Sequence, residues 1–143
     1  MAETTRIQPD KLKAYAETVY RIDGADTPIL LRIGKHAPEL ERLFREHGVD
    51  SGVFITAYNP LGTIQSPAQN ERANAELARA LRDSGVATLT GTGGVENPDW
   101  PNEPSWFALG LPLEDAKALG ISFAQDAIVW IGKDAIPQLI TLR

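Results

Sequence analysis

The chain contains no cysteine. That absence removes disulfides, thiolate nucleophiles and thiolate metal sites together. Histidine is almost as scarce. His36 and His47 bracket one amphipathic segment, about three helical turns apart, too far to share a metal. Neither stands beside carboxylates at ligand spacing, so no metal and no cofactor is expected. Ser66 and Ser105 have no histidine partner in the pattern, which leaves a nucleophile triad unsupported. No run of about eighteen apolar residues occurs, so no membrane span is expected. The N-terminus lacks a basic and then apolar signal pattern, and the expected location is the cytoplasm. Positive charge is also short: 14 Lys and Arg against 19 Asp and Glu give a net charge of −5. A nucleic-acid surface would want a basic patch, so no nucleic-acid partner is expected.

What is present is an ordinary globular composition over 143 residues, enough for one domain over residues 1–143 with its own core. A polar stretch over residues 1–8 reads as loose. The segment that organises the rest is Val53 to Tyr58, a nearly continuous apolar, β-branched and aromatic run. It is too short for a helix, and it is bounded by Gly52 and Asn59-Pro60. Such a run reads as a strand buried on both faces. Pro60 cannot donate to a ladder, so the strand stops there. Ser66 then reads as an N-cap, with Pro67 at the first helical position and Gln69 completing a capping box. The helix it opens closes at Gly85.

Asn70, Asn74, Leu77 and Leu81 share one face of that helix. The leucines are core. The two asparagines sit near the helix start, toward Thr56, Tyr58 and Asn59 at the end of the strand. Open α/β sheets bind ligands beyond the carboxyl ends of their strands, where a helix N-terminus favours an anion. A polar pocket at the tip of the strand is one reading. The other is that both amides satisfy loop backbone groups.

Around this centre the pattern predicts a helix over Pro9 to Ala16 and strands over Thr18 to Ile22 and Pro28 to Ile33, joined as a hairpin. It predicts a helix over Ala37 to His47 ending at Gly48, and a strand over Val86 to Thr90. Then come a strand over Ser105 to Leu111, a helix over Leu113 to Gln125, and strands over Ala127 to Ile131 and Gln138 to Leu142. Helices between strands call for crossovers and hairpins for antiparallel pairs. The fold class is therefore α/β (α+β), a mixed sheet of about six to seven strands covered by three to four helices.

Three stretches could carry chemistry. Thr90-Gly-Thr-Gly-Gly94 lacks the Lys and the helix of a phosphate loop and reads as a flexible connection. Trp100 and Glu103 lie in a loop stiffened by Pro101 and Pro104, and rigid loops of this kind tend to be functional. Glu103 is the candidate general base or ligand acceptor. Gln125-Asp126 directly precedes an apolar strand. If that strand runs antiparallel to the central one, Gln125 lies on the same edge as Asn59.

The pattern Phe54-Ile-Thr-Ala-Tyr-Asn-Pro60, then Asn70 with Leu77 and Leu81, then Trp100, Glu103 and Ser105, then Phe123-Ala-Gln-Asp-Ala-Ile-Val-Trp130, resembles an uncharacterised bacterial family of small proteins, a domain of unknown function. The resemblance runs from about Tyr15 to Leu142. It implies a cytoplasmic bacterial protein with no assigned activity, and it supplies no catalytic residues.

The leading functional reading is a binding module for a small polar or anionic ligand. Its ligand-binding residues would be Thr56, Tyr58, Asn59, Asn70, Asn74, Trp100, Glu103 and Gln125. This inventory is rich in neutral hydrogen-bonding groups and poor in paired acids and bases. The first alternative is a hydrolase-like enzyme with Glu103 as general base. The second is a protein-interaction module anchored on Trp100 and Trp106, or pairing through an edge strand with a protein partner or in a homodimer.

Overall fold

The computed structural model describes residues 7–96 and 102–143. Trp100, Pro101 and residues 1–6 of the expected loose segment lie outside them. Ile7, just before the first helix, is buried.

Among the described residues, four α-helices and seven strands follow one another as α1 (Pro9–Glu17), β1 (Val19–Ile22), β2 (Ile29–Arg32), α2 (Pro38–His47), β3 (Gly52–Ile55), α3 (Pro67–Asp83), β4 (Ala87–Gly93), β5 (Glu103–Leu109), α4 (Leu113–Ser122), β6 (Ala127–Ile131) and β7 (Pro137–Thr141). A short 3-10 turn, Pro60–Gly62, separates β3 from α3. Local signals act as expected. Gly48 ends α2 in the left-handed region at φ 65°, and Ser66 and Gln69 form the reciprocal capping box of α3.

The fold is α+β, but the sheet is antiparallel throughout rather than mixed. Its strand order is β2-β1-β4-β5-β3-β6-β7, and every pairing is antiparallel. The helical crossovers exist nonetheless. β3 and β4 run parallel with β5 inserted between them, and β5 and β6 run parallel with β3 inserted between them. Each crossover thus spans a strand of opposite direction, the split βαβ arrangement. Local pattern cannot reveal such interleaving.

Both faces of the sheet are buried against helices. On one face, Leu40, Leu43 and Phe44 of α2 pack on Tyr20, Ile22, Phe54, Phe107 and Ile131. On the other, Leu77 and Leu81 of α3 and Ala116 of α4 pack on Val53, Ile55, Ala108 and Ile128. The sheet curls until its ends touch. Gly34, after β2, donates its N–H to the Pro137 carbonyl at 2.8 Å, and Ala37 donates to Ala135 at 2.9 Å.

Two departures from the expected elements shape the site. The Gly-rich stretch is not a flexible connection, because Gly91 and Gly93 are ladder residues of β4. A Cβ at Gly91 would lie 2.6 Å from Cε2 of Phe54, so the bare backbone there seats the Phe54 ring. Glu103 and Pro104 likewise belong to β5, not to a loop.

The central strand is the second departure. It ends at Ile55 rather than Tyr58. From Thr56 the chain leaves the ladder and turns through Asn59, held left-handed at φ 46°, and Leu61 at φ 56°. Three successive N–H groups then need other acceptors. Ala57 donates to Asn74 Oδ1 at 3.1 Å, Tyr58 to Thr56 Oγ1 at 3.1 Å, and Asn59 to Asn70 Oδ1 at 2.9 Å. Side chains stand in for a missing strand.

Candidate functional site

That turn closes one side of a cavity of about 70 Å³. β3 contributes Phe54 and, just beyond it, Thr56, Tyr58 and Asn59; β5 contributes Glu103 and Ser105; β4 contributes Gly93. The segment from Gln125 through Val129 forms the opposite wall, and Tyr15 of α1, Tyr20 of β1 and Leu139 of β7 complete the lining. Tyr20 and Phe54 meet edge to face, 5.2 Å between centroids.

Hydrogen bonds fix most of the polar lining. Asn59 Nδ2 donates to Glu103 Oε2 at 2.7 Å, and Asn70 Nδ2 donates to Asn59 Oδ1 at 2.9 Å. Thr56 Oγ1 donates to the Pro104 carbonyl at 2.8 Å, and Ser105 Oγ to the Glu103 carbonyl at 3.0 Å. Gln125 Nε2 donates to the Tyr58 carbonyl at 3.1 Å, which joins the α4–β6 corner to the β3 turn. Strained backbone faces strained backbone at this corner. Leu61 N–H donates to the carbonyl of Ala124 at 2.7 Å, and Ala124 is itself left-handed at φ 55°. Such residues persist only where the surroundings hold them, and they gather at functional sites.

Asp126 is 3 % exposed, and a buried carboxylate needs partners. Tyr15 donates its hydroxyl to Oδ2 at 2.7 Å. Arg143 pairs with Oδ1, and Lys11 Nζ stands 3.9 Å from Oδ2. Tyr20 donates to the Tyr15 carbonyl at 2.9 Å. These bonds dock α1, which has no buried side chain of its own.

All three phenols are pushed above their ordinary range. For Tyr15 burial acts first, followed by the bond to Asp126 and the charges of Asp126 and Glu103. For Tyr20 burial acts first, and the Glu103 charge adds to it. For Tyr58 burial acts first, then the charges of Glu71 and Glu103. At neutral pH all three are protonated, able to donate or accept but not to serve as bases.

Of the residues singled out in the sequence, Thr56, Tyr58, Asn59, Glu103 and Gln125 line the cavity. Asn70 and Asn74 do not. They stand behind the turn and serve its backbone, Asn74 bridging Ala57 N–H and the Pro104 carbonyl. Trp100 lies outside the described residues. Trp106 is not an exposed anchor: it is half-buried against the second core, and its indole donates to the Asn74 carbonyl at 3.0 Å. The N-terminus of α3 does not face the cavity either, and its first turn is occupied by its own capping box. Tyr15 and Tyr20 escaped sequence reasoning because they precede the central strand by more than thirty residues. Asp126 held the one available signal, since an acid directly before an apolar strand demands a donor from elsewhere in the chain.

Among the described residues no group of three or more His, Asp or Glu could hold a metal ion, and no helix is long and apolar enough to cross a membrane. A family model described as a protein of unknown function, DUF3293, matches residues 55–128. That span runs from the last residue of β3 into β6 and holds Glu103, Asn59, Gln125 and Asp126; Tyr15 and Tyr20 lie before it. No curated protein and no solved structure matches the chain.

Proposed function

This chain belongs to the DUF3293 family, whose function is unknown, and from that premise we propose that it is a binding module for a small polar ligand held in the cavity beyond β3. The observation that carries the reading is the convergence on one hollow of Glu103, held by Asn59 at 2.7 Å, with the rings of Tyr20 and Phe54. Concave sites with an apolar wall and a few fixed polar groups are where small molecules bind. The lining is already organised, so little ordering is left for a ligand to impose. By water-sized volumes of about 10–15 Å³ each, the space of about 70 Å³ admits a head group of a few heavy atoms.

A thermal-shift screen of small metabolites tests this. A ligand at a hundred times its dissociation constant adds about 2.7 kcal/mol, which raises the melting temperature by about 5–10 °C for a domain of this size. Gly93→Val is the matched control. A Cβ there meets nothing nearer than Tyr20 Cδ1 at 3.6 Å, so the variant folds while its methyls fill the cavity. The same shift in Gly93→Val and in the parent would refute the site.

One observation favours a second reading. The amide of Asn59 aims the Glu103 carboxylate, as a general base must be aimed. On that reading Glu103→Gln abolishes turnover of a screened substrate while an uncharged ligand still binds.

A further inference from the structure

The sheet ends on β2, and the outer edge of that strand carries a definite pattern of free groups. Asp23 and Gly24 donate to the Thr90 carbonyl, and Gly94 donates to the Val19 carbonyl. Val19 and Asp23 thus turn their main chain toward β4. Main-chain groups alternate in direction along an antiparallel strand. Tyr20 and Ile22 therefore turn toward β2, where they face Leu31 and Ile29. Leu30, between those two, turns its N–H and its C=O away from β1. By the same alternation Pro28 and Arg32 face outward on either side of it.

The edge is open only over this stretch. Before Pro28 the chain bends through Gly24 to Thr27 as it comes from β1. Beyond Arg32, Gly34 is already bonded to the Pro137 carbonyl at 2.8 Å. Leu30 lies at the centre of the window. Its side chain is 48 % exposed, while Ile29 and Leu31 on the opposite face are buried. An exposed leucine in the middle of an unpaired edge suits the addition of a further strand.

The two ends of the window select the strand that fits. Pro28 has no N–H to give, and the Arg32 carbonyl already accepts Lys35 N–H at 3.1 Å. The window therefore offers both groups at Leu30, only a carbonyl at Pro28 and only an N–H at Arg32. An arbitrary antiparallel strand presents both groups opposite each end and leaves one of them idle there. A second copy of β2, turned about a two-fold axis through Leu30, leaves none idle. Leu30 exchanges both bonds with its counterpart, and Arg32 N–H of each copy meets the Pro28 carbonyl of the other. The two Leu30 side chains then lie side by side on one face. The same axis brings exposed Asp26 of one copy to the end where the other presents exposed Lys35.

We propose that two copies of this chain associate by antiparallel pairing of β2 with β2 about Leu30, which joins their sheets into one. This surface is separate from the cavity beyond β3, and its use does not depend on a ligand there. The contact is isologous, so it closes at two copies. An interface this short falls below about 1,200 Å², the range of weak and transient contacts.

The test follows the full chain by sedimentation equilibrium and by amide hydrogen exchange over a wide concentration series. A monomer–dimer equilibrium with its midpoint in the high-micromolar range is expected. The amides of Leu30 and Arg32 exchange freely in the monomer and should slow by about tenfold once about nine-tenths of the chain is dimer. Those of Ile29 and Leu31, already bonded to β1, should stay as they are. Leu30→Lys keeps the fold, because the side chain is half exposed, and sets two like charges face to face. It should weaken dimerisation at least about tenfold. A chain that stays monomeric at every concentration overturns the second copy as occupant and leaves the edge to a strand of another protein. A mass that grows beyond the dimer overturns the two-fold, because β2 would then meet a different edge. Dimers that leave Leu30 and Arg32 exchange unchanged, or that ignore Leu30→Lys, form elsewhere and overturn the proposal as well.

Discussion

Asn74→Ala isolates the physical support of the site from the site itself. Asn74 lies on α3, and its two side-chain heteroatoms tie the helix to the ends of two strands. Oδ1 receives Ala57 N–H at 3.1 Å, and Nδ2 reaches the Pro104 carbonyl at 3.3 Å. Ala57 is fully buried, so truncation strands its N–H at a cost of about 1–3 kcal/mol. The bond to Pro104 is worth about 1 kcal/mol more, although that carbonyl keeps the hydroxyl of Thr56. Alanine is the better helix former by about 0.5 kcal/mol, which offsets part of the loss. The net expectation is a destabilisation of about 2–3 kcal/mol. In urea this lowers the midpoint by about 1–2 M with an unchanged slope. Thr56→Val supplies the complementary measurement. Both residues donate to Pro104, so the double variant leaves that carbonyl without either donor and should lose more than the sum of the singles, by at least about 0.5 kcal/mol. A midpoint within about 0.3 M of the parent for Asn74→Ala would refute the reasoning, because the turn would then need no stand-in for its strand.

The chain has three tyrosines, and all three line the cavity, so phenolate absorbance reports on this site alone. A folded pKa raised above the unfolded value stabilises fully below the unfolded pKa of about 10 and less as pH climbs above it. Tyr15 and Tyr20 should therefore stay protonated in the folded chain through pH about 10 and ionise only as it unfolds; reversible ionisation there with circular dichroism intact would contradict the burial. Gly91→Ala puts a Cβ 2.6 Å from Phe54, so it should cost about 1–3 kcal/mol in urea melts and abolish any ligand-induced thermal shift by moving the ring. An unchanged shift would show that the ring plays no part. Leu61→Gly relieves a left-handed leucine that is largely exposed. It should stabilise by about 0.5–1 kcal/mol once the greater chain entropy of glycine is subtracted, and a loss of stability would mean that the Leu61 side chain has an apolar partner.

The central helix shows how far local pattern reaches. Ser66, Pro67 and Gln69 mark its start within four residues, and Leu77 and Leu81 mark its inner face by spacing alone. The same spacing brought Asn70 and Asn74 inward but left open what they serve. That depended on where β3 stops, and β3 stops early because Asn59 turns left-handed and three N–H groups find side-chain acceptors. Glu103 was legible as a candidate. Its placement on a strand beside Asn59 was not, because Pro101 and Pro104 suggested a loop, yet Pro104 is tolerated in β5. Gln125 came to the β3 turn on the antiparallel pairing of β3 with β6 that its placement required.

Sequence alone determined which segments are helix and which are strand, where most of them end, and which side of α3 faces inward. Periodicity, capping and chain-breaking residues act over a few turns, and they need no partner from elsewhere. Tertiary structure decided the interleaved strand order, the delivery of Tyr15 and Tyr20 to the hollow, and the direction in which each hydroxyl there donates. Those features depend on which buried N–H and O–H groups lack a nearby acceptor, and that is settled only when distant parts of the chain meet.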